Sequence, residues 1–261
     1  MIKNILLSIL LPFLFILSSC SGNDKNKIEK KFSLIKPSEL YKNAMLDLND
    51  QKYDEAQSKF KDINFQYPLS NEAIQSQTML AFIDYLQMDY DEAIFKFDNI
   101  IRKYPSHKNL DYSYYMRALC YFEQIENEAL DGKFNTEALN NFKQILNRFP
   151  DSEYAKDSKQ KIIVVKENIA AKHMNIANFY LGKKKYFAAI NRYKSVIEDH
   201  ETSKFTPEAL FKLTEIYYLL GMIDESKKTA SVLGYNYPKS KWYKYSFELI
   251  SPKKNKKTIF S

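Results

Sequence analysis

The segment Tyr53-Asp54-Glu55-Ala56 recurs 37 residues later as Tyr90-Asp91-Glu92-Ala93, and this repetition decides the fold. Three weaker copies follow, and each of the five copies contains one small residue that we use as an anchor. The anchors are Ala56, Ala93, Ala138, Ala189 and Ser226. A segment that recurs every 37 to 51 residues is typical of a repeat protein, in which each unit contacts mainly its neighbours.

Each anchor lies in a helical pattern that usually ends at a proline. The side chains four and seven residues after an anchor are mostly apolar, and these offsets lie on one face of an α-helix. They are Phe60 and Ile63, Phe97 and Ile100, Phe142 and Ile145, Tyr193 and Val196, and Ala230 and Leu233. Twelve residues after the anchors stand Pro68, Pro105, Pro150, Glu201 and Pro238. Because proline lacks an amide donor, four of the five helices are predicted to end there.

A second helix is predicted before each anchor. Twelve residues upstream of four anchors stands a small residue, which lets two helices approach closely. These residues are Ala44, Ala81, Ala177 and Thr214. Helix pairs with small residues at their contact and a terminal proline match the tetratricopeptide repeat (TPR). We therefore predict an all-α, right-handed superhelical array of about five TPR helix-turn-helix repeats with a concave surface; a non-repetitive helical bundle is the alternative.

The predicted array covers residues 37–250. Its repeats are expected around residues 37–68, 73–105, 110–150, 170–201 and 207–238. The wider anchor spacings predict extended helices or inserted loops around residues 120–135 and 151–170. The pattern from Tyr154 to Lys185 fits one or two long helices.

The composition agrees with a helical array. The 261 residues include only 5 Gly and 8 Pro but 20 Tyr and 18 Phe. Few Gly and Pro leave little material for tight β-turns, and abundant aromatic rings can fill the space between packed helices. Cys120 lies in an apolar helical stretch and is expected to be a buried, inert thiol.

Residues 1–20 predict a lipoprotein signal. Lys3 precedes an apolar run from Ile5 to Leu17, which Ser18-Ser19-Cys20 ends. The run is short for a transmembrane helix and has the form of a secretory signal. Its end resembles the lipobox of bacterial lipoproteins, which implies that residues 1–19 are removed and that Cys20 carries lipid. An ordinary signal peptide that ends near a cysteine is the alternative.

The residue directly after Cys20 indicates in which membrane the lipid would anchor the protein. In bacterial lipoproteins an Asp directly after the cysteine commonly retains the protein in the inner membrane, and Ser21 stands there instead. The resemblance therefore implies the outer membrane. Residues 20–36 are expected to form the lipidated N-terminus and a flexible tether.

The net charge of +7 becomes +6 once residues 1–19, with Lys3, are removed. Lysines dispersed along the chain indicate a general bias in composition, so we expect no nucleic-acid partner. The C-terminal residues 251–261 contain four lysines in five positions, residues 253–257. We interpret them as a solvated basic tail, and contact with an anionic lipid or an acidic partner is the alternative.

No pattern indicates catalysis. His107, His173 and His200 lack metal-ligand spacing, and five glycines leave no phosphate-binding loop. We therefore expect no enzyme activity, no catalytic residue, no metal and no cofactor other than the covalent lipid on Cys20.

Three segments resemble the BamD family, the tetratricopeptide lipoproteins of the outer-membrane β-barrel assembly machinery. They are the lipobox, the junction from Lys103 to Leu119, and Tyr186-Phe187-Ala188-Ala189-Ile190-Asn191-Arg192-Tyr193. The chain departs from the family pattern at Lys108, at Glu201 and in the short insertion Leu130-Asp131-Gly132-Lys133. The resemblance implies a scaffold of the β-barrel assembly (BAM) complex, lipid-anchored at the periplasmic face of the outer membrane.

The resemblance also implies partners and binding residues. The C-terminal repeats would bind the POTRA domains of a BamA-like barrel subunit, with Arg192 beside Asn191 pairing with an acidic residue. The N-terminal repeats would bind targeting segments of unfolded outer-membrane proteins, with Tyr41, Tyr67 and Tyr85 as groove candidates. A solvated charge is the alternative for Arg192, and core packing is the alternative for the tyrosines. Other assembly lipoproteins are further candidate partners.

Two other functions stay open at this point. One is a different periplasmic TPR adaptor lipoprotein, for example in envelope constriction or peptidoglycan synthesis. The other is a lipoprotein hydrolase with an unrecognised site, for which the chain offers no residue.

Overall fold

The computed structural model describes residues 35–125 and 132–251, and every regular element in these two ranges is an α-helix. The prediction of an all-α TPR array is confirmed. The predicted signal peptide, Cys20, the tether up to residue 34 and the tail from residue 252 lie outside the described residues. The helices are α1 (Pro37–Asn49), α2 (Tyr53–Gln66), α3 (Asn71–Leu86), α4 (Tyr90–Lys103), α5 (Leu110–Glu123), α6 (Gly132–Arg148), α7 (Glu153–Gly182), α8 (Tyr186–Asp199), α9 (Thr206–Leu219), α10 (Ile223–Asn236) and α11 (Lys241–Ile250).

The helices form five antiparallel pairs that stack side by side, from α1–α2 to α9–α10. Successive first helices also contact each other at α1–α3, α3–α5, α5–α7 and α9–α11, whereas successive second helices of the described chain have no comparable contact. The first helices therefore form what we call the inner face, and the second helices form the outer face.

Four of the pairs close with the same three-residue turn, and the third closes through residues 126–131, which are not described. In each turn the middle residue has a positive φ, and the next amide donates a hydrogen bond to a carbonyl five residues earlier. The middle residues are Gln51 (φ 60°), Met88 (φ 63°), Lys184 (φ 57°) and Gly221 (φ 75°). This hydrogen bond, together with the positive φ, is the Schellman motif that ends many helices. The turns lie at one edge of the array, the turn edge, and the loops between pairs lie at the opposite loop edge.

The helices end where the prolines predict. α2, α4, α6 and α10 each stop two residues before a proline, at Gln66, Lys103, Arg148 and Asn236. In the fourth pair α8 also stops two residues before the equivalent position, although Glu201 stands there. The loop that follows α8 is instead fixed by Glu167, whose carboxylate accepts hydrogen bonds from the Ser203 hydroxyl (2.9 Å) and the Lys204 amide (3.1 Å).

α7 is one continuous helix of 30 residues, so the fourth pair begins at Glu153 and not near residue 170. Its first half, as far as Ile169, packs with the core of α3–α6, and its second half, from Ala170, packs with α8 and α9. The Lys172 ammonium reaches the start of α6, since a Cβ on Gly132 would lie 2.9 Å from its Nζ. α7 has 30 residues and the antiparallel α6 has 17, so α7 extends past the described start of α6.

α11 completes the array by packing on α9 and α10. The Trp242 ring stacks on Phe211 of α9, with ring centroids 5.4 Å apart. No anchor predicted this helix, because no further helix of the described residues pairs with it.

Candidate binding surfaces

An ion pair joins the two helices of the first pair, and an equivalent one joins those of the second. Asp47 of α1 pairs with Lys59 of α2, and 37 residues later Asp84 of α3 pairs with Lys96 of α4 at 2.6 Å. Glu92, one turn before Lys96, lies 3.4 Å from the same ammonium. Burial raises the pKa of Asp84, and Lys96 opposes that shift. In both pairs the cation is neutralised inside the protein.

Arg192 occupies the same place in the fourth pair, three residues after the anchor Ala189. The residue equivalent to Asp84 is Tyr180, and the residue equivalent to Glu92 is Ala188. Arg192 is exposed and forms no ion pair within the described residues. Its neighbour Asn191 is also exposed. The fourth pair thus presents to solvent a cation that the first two pairs neutralise internally.

Two histidines lie close to Arg192. The rings of His173 and His200 are 6.1 Å apart. Burial lowers the pKa of both, and the Arg192 guanidinium lowers that of His173 further. His200 stands where Tyr67, Tyr104, Phe149 and Tyr237 stand in the other repeats. The lowered pKa values favour neutral imidazoles, so the two histidines add little positive charge beside Arg192.

Beside this surface, a cleft of about 240 Å³ opens between α7 and the loop after α8. Its lining includes Lys166 together with the carboxylates of Glu167, Glu198, Asp199 and Glu201. An acidic cleft and an exposed guanidinium thus lie on neighbouring parts of the fourth repeat.

A cluster of tyrosines from four first helices lies on the inner face of the N-terminal repeats. Tyr154 of α7 stacks on Tyr115 at 4.9 Å between ring centroids and lies 5.6 Å from Tyr112. The pKa of Tyr112 is raised by burial first, and Tyr154, Tyr41 and Tyr85 lie near enough to raise it further. We call Tyr41, Tyr85, Tyr112, Tyr115 and Tyr154 the tyrosine cluster.

The tyrosine cluster is electrically neutral at physiological pH. Burial raises the pKa of Tyr85 to about 12 and also raises those of Tyr41, Tyr112, Tyr115 and Tyr154. The Tyr115 hydroxyl donates a hydrogen bond to Asp157 (2.7 Å), which holds its ring in place. Rings with neutral hydroxyls can bind apolar side chains and donate hydrogen bonds to peptide carbonyls.

The three tyrosines proposed from sequence differ in position. Tyr85 and Tyr41 belong to the tyrosine cluster, although Tyr41 also packs on Phe60 at 5.5 Å. Tyr67 lies in the loop after α2, and its hydroxyl donates to the Ile35 carbonyl (2.7 Å). The structure therefore gives Tyr67 a role in holding the chain that enters α1. Sequence reasoning missed Tyr112, Tyr115 and Tyr154.

A pocket on the inner face lies between α9 and α11. It has a volume of about 330 Å³ and is walled by Phe211, Trp242, Tyr245 and Leu249. Lys212 pairs with Glu215 at its rim (3.0 Å). None of these residues was predicted from the sequence.

Within residues 35–125 and 132–251, no cluster of three or more His, Cys, Asp or Glu residues could hold a metal ion. Cys120 is free and buried, and burial raises the pKa of its thiol to about 12. None of the described helices is long and apolar enough to cross a bilayer.

Stacked antiparallel helix pairs with an inner aromatic face define a TPR protein. Residues 34–233 match the family described as "YfiO: Outer membrane lipoprotein". The chain is 36% identical to the outer membrane protein assembly factor BamD of Rickettsia prowazekii over 251 residues, which are 96% of this chain and 98% of that protein. It therefore belongs to the BamD family.

Two further BamD proteins are also similar to this chain. The BamD protein of Caulobacter vibrioides is 36% identical over 81% of this chain and 70% of its own length. That of Neisseria meningitidis serogroup A is 28% identical over 94% and 96%. Among solved structures, the TPR2AB domain of yeast Sti1 matches with a TM-score of 0.48 at 11% identity, covering 82% of this chain and 84% of that one.

Proposed function

We propose that this protein is a non-enzymatic scaffold that takes part in the assembly of outer membrane proteins. Membership of the BamD family supports this role, because the relatives are named as outer membrane protein assembly factors. The single structural observation that carries the proposal is the exposed Arg192, which lacks the carboxylates that neutralise its equivalents Lys59 and Lys96.

The C-terminal repeats bind the POTRA domains of a BamA-like subunit in this proposal. A guanidinium binds a carboxylate through two parallel hydrogen bonds, which provides orientation as well as affinity. Because no described residue neutralises Arg192, an acidic residue of the partner need not displace an internal ion pair. Asn191 lies beside it on the exposed side of α8 and supplies a further polar contact.

The tyrosine cluster binds the substrate in this proposal. An unfolded barrel protein offers extended segments with aromatic side chains, and an inner face of neutral rings suits such a segment. Its phenols come from α1, α3, α5 and α7, so one extended peptide could contact several repeats at once.

The protein is placed at the periplasmic face of the outer membrane by lipid on Cys20. One acyl chain binds a bilayer only marginally, with an association constant of about 10⁴ M⁻¹, and stable anchoring takes at least two. The three chains of a mature bacterial lipoprotein would make the attachment effectively permanent. Other assembly lipoproteins are further candidate partners on the same membrane.

The partner surface is tested by recovery of proteins from detergent extracts. The wild-type chain should recover a large outer-membrane barrel protein that carries POTRA domains. The R192A variant should lose at least about tenfold in affinity, since truncating one member of a desolvated charge pair costs about 2–5 kcal/mol. K194A is the matched control, because Lys194 is an exposed cation on the same helix. Equal recovery by wild type and R192A would contradict the proposed surface.

The substrate surface is tested with a fluorescent peptide that ends in an aromatic residue. Tyr85→Ala should weaken binding about threefold to tenfold, because an aromatic contact contributes roughly 0.5–1.5 kcal/mol. Tyr235→Ala is the control, since Tyr235 is 87% exposed on the second helix α10. If both variants bind the peptide as tightly as wild type, the tyrosine cluster is not the peptide site.

A further inference from the structure

The turn between α7 and α8 has a charge unlike that of the other described turns. It consists of Lys183-Lys184-Lys185, none of which forms an ion pair with a described residue. The helices that follow the other turns, α2, α4 and α10, each carry two acidic residues in their first turn, whereas α8 carries none. This turn is therefore strongly basic.

Exposed rings flank the three lysines. Phe179, in the last turn of α7, is 61% exposed, and Phe187, in the first turn of α8, is 77% exposed. The next turn of the same edge carries four partly exposed apolar side chains, those of Leu219, Leu220, Met222 and Ile223. Large apolar side chains gathered at an edge indicate a contact surface, because isolated exposed apolar residues are ordinary but a group of them is not.

α7 extends past the described start of α6. It has 30 residues, whereas α6, which packs against it in the antiparallel sense, has 17. The α7–α8 turn is therefore the tip of the longest described helix. The clefts described above lie elsewhere, at the loop edge of α7–α9 and between α9 and α11.

We propose that the α7–α8 tip, together with the apolar α9–α10 turn, rests on an anionic phospholipid surface. Lysines lying near an anionic bilayer contribute about 1 kcal/mol each, and aromatic and aliphatic side chains at a convex tip enter the boundary between headgroups and acyl chains. Lysine suits this task, since its long stem lies along apolar surface while its ammonium stays in water.

The same tip fits an acidic protein less well. A protein carboxylate is best held by a planar guanidinium, and the exposed arginine of this repeat, Arg192, lies farther along α8. The tip offers three point charges and protruding rings, a pattern that needs no fixed arrangement of partner groups.

An anchor at Cys20 is compatible with this contact. α1 starts at the loop edge, opposite the tip, and its 13 residues are about 20 Å long. Seventeen residues, 20–36, separate the anchor from α1 and can span at most about 60 Å. The chain is long enough for the lipid and the tip to meet one bilayer.

The test measures co-sedimentation with vesicles of phosphatidylethanolamine alone or with 30% phosphatidylglycerol. The protein starts at Ser21, so it keeps every described residue but cannot be lipidated at Cys20. The wild type should bind the anionic vesicles and not the neutral ones. K183Q/K184Q/K185Q should bind about 100-fold more weakly, since each lysine contributes about fivefold. F187S should bind at least about tenfold more weakly.

Matched controls use the loop edge. K239Q/K241Q/K244Q changes the net charge equally at exposed lysines, and F65S removes a ring that is 87% exposed. Both should bind as wild type. Each comparison is repeated in chains that end at Ser251, so that the four lysines of residues 253–257 do not mask the effect. Circular dichroism checks that every variant is folded.

Three outcomes would contradict the proposed membrane contact. Absence of binding to anionic vesicles, or equal loss in the tip and control variants, would overturn the proposal. Loss of barrel-subunit recovery by the tip variants with unchanged vesicle binding would also overturn it, because the tip would then be a protein interface. None of these outcomes bears on Arg192, whose own variant tests the proposed scaffold function separately.

Discussion

The second and fourth repeats share their geometry and differ in their charges. Both have the same turn, with a positive φ at Met88 and at Lys184, and both bury a large ring four residues after the anchor, Phe97 and Tyr193. In the second repeat, Asp84 forms an ion pair with Lys96 and neutralises it within the protein. The fourth leaves Arg192 exposed without a partner among the described residues.

This difference separates what the fold requires from what binding requires. Positions that keep their character in both repeats face the neighbouring helix, because each repeat must bury the same surface. Positions that change, such as 180 and 188, decide whether the cation of the repeat is neutralised by a neighbouring carboxylate. In a repeat protein, one repeat can therefore serve as the internal control for another.

The shared core should give the largest effect. Phe97→Ala and Tyr193→Ala should each lower the free energy of unfolding by about 3–5 kcal/mol, because both side chains are fully buried. Urea unfolding followed by circular dichroism measures this. Phe95→Ala, on the same helix as Phe97 but 60% exposed, is the control and should cost much less. A cost below about 1 kcal/mol for either buried ring would break the equivalence of the two repeats.

The internal ion pair should give the next largest effect. Lys96→Ala leaves the buried Asp84 carboxylate unpaired and should cost about 2 kcal/mol. Arg192→Ala removes an exposed charge and should change stability by less than about 0.5 kcal/mol. The same unfolding measurement applies. Equal costs for the two variants would show that Arg192 is neutralised inside the protein after all.

The common turn should give an effect of about 1 kcal/mol. Met88→Gly should stabilise the protein by about 0.5–1 kcal/mol, because a side chain is disfavoured at positive φ and Met88 is 75% exposed. Gly221→Ala, at the equivalent place in the fifth repeat, should destabilise it by a similar amount. Thermal unfolding of both variants provides the measurement, and shifts of the same sign would contradict the shared geometry.

The smallest effect on stability is expected from a substitution that gives the fourth repeat the charge pattern of the second. It tests the difference between the two repeats most directly. Ala188→Glu gives the fourth repeat the glutamate that lies near Lys96 in the second. A Glu–Arg pair four residues apart should add about 0.3–0.5 kcal/mol and should also weaken recovery of the barrel subunit. Ala188→Gln is the uncharged control. Unchanged recovery with the glutamate would argue that Arg192 does not bind the partner.

Much of the fold could be predicted from local patterns. The anchors and prolines predicted where α2, α4, α6 and α10 end, because helix geometry and the missing amide of proline act over a few residues. The sequence leaves the continuity of α7 open between one helix and two. The segment from Tyr154 to Lys185 has no Pro and only Gly182, close to its end, which allows one helix, but the anchor spacing places the start of a repeat near residue 170. α11 left no trace in the repeat pattern, because no second helix pairs with it among residues 35–125 and 132–251.

The binding surfaces were less predictable. The tyrosine cluster joins residues as distant as Tyr112 and Tyr154, and only the packing of α5 against α7 brings them together. The isolation of Arg192 requires knowing that Tyr180 takes the place of an aspartate. That equivalence could have been found by carrying the spacing of the anchors to every position of the repeat.

Because α7 is one unbroken helix, it fixes both the distance and the rotation between the N-terminal and the C-terminal halves of the array. Residues 153–169 belong to one core and residues 170–182 to the next, so no flexible joint separates them. Each residue inserted at this seam would advance the C-terminal half by about 1.5 Å and turn it by about 100°. Seven inserted residues would fall only about 20° short of two full turns, and would move the two halves about 10 Å apart while they still faced the same way.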